Sequence, residues 1–321
     1  MKKSYASAVG AVRAAEVRLA DAHFTESLLS QRDVGAVCAM LSDRGTGDFA
    51  ESENPLAAAE STLSSVWDFL MQVVPNAEDL QFLIVKNDFH NLKAAIKALA
   101  ADCDPAPYFM SPCITDSGEL AQAVKSKDFG SLPDWLGSVA EKAYSLITET
   151  LDGRTADAYI DSESVYTAAQ MSKISDSPML AHYGEVLCDT TNFKTAVRLC
   201  RIKADDAAMR YAFARGGTVD CDTLRHSTAK GIESVTELVS QNYPNLAAAC
   251  GESSAVFERE CDNTLLHTLD GAAMISFGPE PPAAYYLACE AQCKNIRIIL
   301  ASIMSGVGTD KAAERMRDLY V

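Results

Sequence analysis

The sequence predicts an all-α protein of three similar helical modules, and three observations lead there. Ala is abundant among the 321 residues, aromatics make up only 7%, and the 11 prolines fall mostly between apolar segments. That balance favours helix, because Ala, Leu, Glu and Lys lose little conformational freedom on entering one. Apolar residues recur at helical period, and runs of strict apolar/polar alternation are absent. Finally, one short pattern returns three times at intervals of about a hundred residues.

The helices are separated by clusters of Gly, Pro and Asp: residues 43–49, 102–112, 126–134, 214–222 and 276–282. Asp48, Asn54–Pro55 and Pro75–Asn76 read as start signals for the long helices between Pro55 and Ala101, since a capping side chain followed by Pro suits a first turn. The glycine-rich 305–311 reads as a helix C-cap followed by a Thr or Asp N-cap.

The repeated pattern is carried by HNLKAAIKAL (90–99), TNFKTAVRLC (191–200) and KNIRIILASI (294–303). Each has an asparagine (Asn91, Asn192, Asn295), an apolar residue, then a cation (Lys93, Lys194, Arg297). Nine residues before each asparagine stands an aromatic: Phe82, Tyr183 and Tyr286. Three residues before stand Asp88, Asp189 and Gln292. A second element, with an acidic cap and an early Leu, follows at 116–136 and 220–238. Residues 24–41 share its flavour, and 308–320 read as its truncated last copy. The modules expected are 1–115, 116–219 and 220–321, with the N-terminal helices also able to pack against the C-terminal module.

Asn is a mediocre helix former because its amide competes for backbone hydrogen bonds. Inside a helix it persists best when it bonds a neighbouring loop or helix, so each asparagine is expected to staple its module. A packing staple and a ligand-holding role both remain open, and the following cation suits either a helix end or a shared axis. His90, beside Asn91, is placed to join the same staple.

Twenty-eight basic and 44 acidic residues give a net charge of −16, which argues against nucleic acid as a partner. An acidic surface also repels anionic lipid, so contact with a membrane is expected through another protein. The most apolar late stretch, residues 295–304, contains Arg297 and is far shorter than the ~20 apolar residues of a membrane span. The ten cysteines form no C-x-x-C motif, so buried thiols in a reducing cytosol are expected.

Enzyme motifs are missing: no Walker loop, no G-x-S-x-G and no paired histidine ligands occur. Adjacent Asp205 and Asp206 do not face one point on a helix, and the Asp-x-Asp at 220–222 follows glycines where a phosphatase has a strand. No catalytic residue, cofactor or metal is expected. Between Lys194 and Arg215 six cations face only Asp205 and Asp206, and Lys194, Arg198 and Arg201 share one helical face. That face is either solvated and paired with nearby acids or a docking surface for an acidic or polar partner.

These residues also resemble a family. The opening SYASAVGAVRAAEVRL and LLSQRDVGAVCAMLSDRGTGDF, the segment KNDFHNLKAAIKA (86–98), SGELAQAVKSKDFGSLPDWL (117–136), and the ends KNIRIILASIMSGV and RMRDLYV resemble the C-type stalk subunits of V-type (archaeal and bacterial A/V-type) ATPases, the counterparts of the eukaryotic d-type ones. The turn at Arg44–Gly45 departs from the family's usual Thr/Tyr pairing. The resemblance implies a funnel-like arrangement of the three modules about a pseudo-threefold axis, in a non-catalytic central-stalk protein, one copy per complex, peripheral at the cytoplasmic face of the membrane. Its implied partners are the proteolipid rotor ring and the central axle subunits of the soluble head, and it would couple ATP turnover to proton or sodium transport. A helical scaffold or adaptor unrelated to such motors is the alternative, although a hundred-residue period is long for a common helical solenoid.

Overall fold

A computed structural model describes residues 3–47, 49, 52–150 and 153–320; Asp48, one of the expected start signals, lies outside them. Every regular element among these residues is helical. The chain opens with α1 (Tyr5–Glu16), α2 (Ala22–Leu29), α3 (Val34–Asp43) and α4 (Pro55–Val73). It continues through α5 (Val85–Ala101), α6 (Ser117–Ser126), α7 (Asp134–Thr150), α8 (Gly153–Met171) and α9 (Pro178–Arg201). Then come α10 (Asp206–Met209), α11 (Cys221–Lys230), α12 (Ile232–Asn242), α13 (Pro244–Ala247), α14 (Ser254–His267), α15 (Glu280–Ser305) and α16 (Thr309–Ala313).

Capping chemistry sets many of these starts. Asn54 accepts from the Ala57 amide at 3.3 Å, with Pro55 in the first turn of α4. Asp21, Asp33, Asp116, Asp205 and Asp220 cap α2, α3, α6, α10 and α11 in the same way, each satisfying amides that have no partner within the helix. Two expectations shift. Pro75–Asn76 leads into a 3₁₀ turn, Ala77–Leu83, and not directly into a long helix. Gly306 ends α15 in the left-handed region at φ 68°, but Gly308 sits at the N-cap of α16 where Thr309 or Asp310 was expected.

The helices divide into two compact units, Met1–Ala77 with Glu252–Val321, and Glu78–Gly251. In the first, α15 packs along α4 and also meets α1, α3, α14 and α16. Its core includes Leu28, Val37, Leu41, Ala59, Ile299 and Leu300, so both ends of the chain share one hydrophobic interior. In the second unit α8 packs against α5, α7 and α9, while α11 and α12 pack on α9. The α8–α9 approach requires Gly184: a Cβ there would lie 2.2 Å from Ser172 Oγ and 3.0 Å from Ala169 Cα. No described helix is long and apolar enough to cross a membrane.

Candidate functional site

The three asparagines make the same hydrogen-bonded clasp. Asn91, in α5, accepts from the Met110 amide at 2.7 Å and donates to its carbonyl at 3.0 Å. Asn192, in α9, does both with Ala214 at 2.8 Å. Asn295, in α15, accepts from the Arg317 amide at 2.8 Å and donates to its carbonyl at 2.9 Å. A carboxamide presents one acceptor and one donor side by side, so it pairs with a single backbone residue as a neighbouring strand would. Each clasp holds the chain that returns along its helix. His90 Nε2 lies 3.1 Å from the Tyr108 carbonyl in the same return segment.

The residue three positions earlier holds the next stretch. Asp88 accepts from the amides of Ile114 and Thr115 at 2.9 and 2.7 Å. Asp189, fully buried, accepts from the amides of Thr218 and Val219 at 3.1 and 3.2 Å, the Thr218 hydroxyl at 2.6 Å and the Tyr243 hydroxyl at 2.9 Å. Gly217 must be glycine beside it, since a Cβ would fall 2.1 Å from Asp189 Oδ1. Burial, more than the backbone bonds can offset, raises the Asp88 pKa; burial and then the charge of Asp189 raise that of Tyr243.

In α15 the equivalent side chain, Gln292, accepts from the Ala20 amide at 2.7 Å. Thr115, Val219 and Ala20 each immediately precede a capping aspartate: Asp116, Asp220 and Asp21. Thus α2 stands to α15 as α6 stands to α5 and α11 to α9. Residues 308–320 are therefore not a truncated copy of the second element. They form the return segment held by Asn295, and the N-terminal α2 supplies the helix that follows it.

The remaining repeat residues pack or pair. Phe82 lies on the 3₁₀ turn and meets Tyr183 at 5.4 Å between ring centroids, while Tyr286 meets Trp67 at 5.9 Å. Lys93 pairs with Asp161 of α8, and Arg297 pairs with Glu60 of α4 at 2.9 Å. These cations bridge adjacent helices. Lys194 is half-buried, and Arg198 and Arg201 are exposed; Arg201 also donates to the Cys250 carbonyl at 3.4 Å. Arg215, the last cation of the linear cluster, turns to Glu163 at 2.9 Å. Of the ten cysteines, six are buried, three are intermediate and Cys103 is exposed; all are free thiols.

With this geometry in view, likeness to known proteins places the chain. It matches the ATP synthase (C/AC39) subunit family over residues 8–315. The chain belongs to that family. It is also 21% identical to the C-type subunit of the V-type sodium ATPase of Enterococcus hirae over 262 residues, 80% of each chain.

In this member of the C/AC39 family, sequence reasoning did not anticipate how the C-terminal segment is anchored. Asp262 receives Arg317 at 3.0 Å and Lys294 at 3.3 Å, and Asn263 accepts from the Asp318 amide at 2.9 Å. His267 stands between Asp318 and Asp270, at 2.9 and 3.0 Å. These partners lie up to 55 residues apart, and no local spacing announces them. The arrangement offers hydrogen-bonded rigidity and charged surface. Among the described residues there is no group of three or more His, Cys, Asp or Glu suited to a metal ion.

His267 gives a pH prediction. The hydrogen bond with Asp318, the largest cause, and the neighbouring Asp270 raise its pKa above the ordinary histidine value. A folded-state pKa above the unfolded one means the interaction stabilises fully below the unfolded pKa, near 6.5, and fades as pH rises through the folded value. The stability difference between wild type and His267→Gln should therefore be largest near pH 5–6 and shrink on the alkaline side. Its maximum should be about 1 kcal/mol or less, because the pairs are partly exposed. Urea titrations across this range check it, and a difference that grows with pH would refute the assignment.

Proposed function

We propose that this chain is the non-catalytic, C-type central-stalk component of a V-type rotary ATPase, coupling the axle of the soluble head to the rotor ring in the membrane. The family match over residues 8–315 is the observation that carries this reading. The Enterococcus hirae relative, named as part of a V-type sodium ATPase, points the same way. A coupling part transmits load through itself, and a bidentate clasp in each of three long helices suits that task. On this reading the modules are 1–115, 116–219 and 220–321 about a pseudo-threefold axis, the third completed by N-terminal helices. The protein lies at the cytoplasmic face of the membrane, held there by its protein partners, one copy per complex.

Affinity purification of the tagged chain from detergent-solubilised membranes tests the reading. Head, axle and proteolipid ring subunits are expected to co-purify in fixed ratio, and deletion of the chain should leave ATP hydrolysis without ATP-driven ion transport. Recovery of the chain without any ATPase subunit, or unimpaired transport in the deletion, would overturn it.

The face bearing Lys194, Arg198 and Arg201 is proposed as part of the docking surface. Reversing all three to Glu should preserve helical circular dichroism while weakening assembly, most visibly at low ionic strength and less at physiological salt, where charges are screened beyond ~8 Å. Undiminished co-purification of the triple variant would remove this face from the surface.

A further inference from the structure

A cleft of about 550 Å³ lies in the first unit, between the first turn of α14, the C-terminal half of α15 and the segment around α16. Residues 232–321 carry only six cations against twelve acids, yet five of those six line this cleft: Lys294, Arg297, Lys311, Arg315 and Arg317. Glu314 is the one acid on the wall. Asp262 and Glu60 partly neutralise three of the cations, whereas Lys311 and Arg315 are exposed and make no ion pair among the described residues. In a chain of net charge −16, such a gathering of positive charge departs from the rest of the surface.

The walls between the cations are apolar, formed in part by Leu56, Val256 and Ile298. The cleft is partly open to solvent, whereas a small-molecule site encloses about 70–90% of its ligand. An open cleft with an apolar floor and an arginine-rich rim has the make-up of a protein interface. The first turn of α14 adds the positive end of a 14-residue helix to one wall.

We propose that this cleft docks a segment of a partner protein in which two or more carboxylates flank an apolar side chain. The apolar residue would occupy the floor, and the carboxylates would meet Lys311 and Arg315 without displacing the existing ion pairs. This deepens the coupling reading and rests on it, because the partner is another protein of the same assembly. The site is separate from the α9 face that carries Lys194, Arg198 and Arg201.

The test uses the co-purified assembly, with a photo-crosslinking amino acid replacing Ala301 on the cleft wall. Irradiation should join the chain to a segment of a different protein of the assembly, one with at least two Asp or Glu within about ten residues. In a Lys311→Glu/Arg315→Glu background the crosslinking yield should fall about tenfold. Both positions are solvent-exposed and outside the three asparagine clasps, and circular dichroism checks that the fold is kept.

A crosslink to a neutral or basic segment or to a second copy of this chain would overturn the proposal, as would a yield indifferent to charge reversal. Loss of the crosslink on adding millimolar inorganic pyrophosphate to an intact assembly would reassign the cleft to a small anion and overturn it too. An intact assembly with no crosslink sinks the cleft alone. Failure of the unmodified chain to co-purify with ATPase subunits sinks the coupling reading as well.

Discussion

Asp189→Ala is expected to destabilise the protein by about 3–5 kcal/mol, because several buried donors lose their acceptor at about 1–3 kcal/mol each. The carboxylate is fully buried and accepts four hydrogen bonds, from the amides of Thr218 and Val219 and the hydroxyls of Thr218 and Tyr243. Alanine would leave those donors facing a small cavity, and a buried donor without an acceptor keeps its full desolvation penalty. Asp189→Asn is no rescue, because one edge of the amide turns N–H groups toward donors. Tyr243→Phe removes a single donor and should cost only about 1 kcal/mol. Urea midpoints followed by far-UV circular dichroism measure all three. A loss below that of Tyr243→Phe for Asp189→Ala would contradict this account of the network.

The second large effect is expected at Asn192. Alanine there strands the amide of Ala214, a residue only 2% exposed, leaves its carbonyl only the weak Cys221 thiol at 3.5 Å, and should cost about 2–4 kcal/mol. Asn192→Asp keeps an acceptor for the Ala214 amide but brings a carboxylate against its carbonyl, so at neutral pH it should be at least as harmful. The corresponding changes at Asn91 and Asn295 should cost less, because those clasps are only part-buried and water can replace part of what is lost. Equal losses at the three sites, or a mild Asn192→Asp, would show that the clasp energetics do not follow burial. Neither Asp189 nor Asn192 faces the basic cleft, so stability and docking are separable by mutation.

The asparagine spacing was legible because the same residue type performs the same task three times, at intervals of 101 and 103 residues. Its partners were not. Met110, Ala214 and Arg317 share no chemistry, since each is held through its backbone, and backbone hydrogen bonding leaves no mark on side-chain identity. The charge run from Lys194 to Arg215 was visible, yet it does not form one surface: Arg215 turns to Glu163, and Arg210 stacks on Tyr211. The cleft was invisible for the opposite reason. Its cations are spread between Lys294 and Arg317, and only the return of the chain past α16 brings them together.

The sequence by itself determined the helical class, the capping aspartates and the repeating asparagine, because each depends on interactions within a few residues or on a pattern written more than once. Tertiary structure alone decided that the N-terminal α2 completes the element begun by α15, through Gln292 and Ala20, which lie 272 residues apart. No local propensity encodes such a pairing. Leu28 of α2 shares one core with Ile296, Ile299 and Leu300 of α15, and burying that apolar face selects the N-terminal helix to cover it.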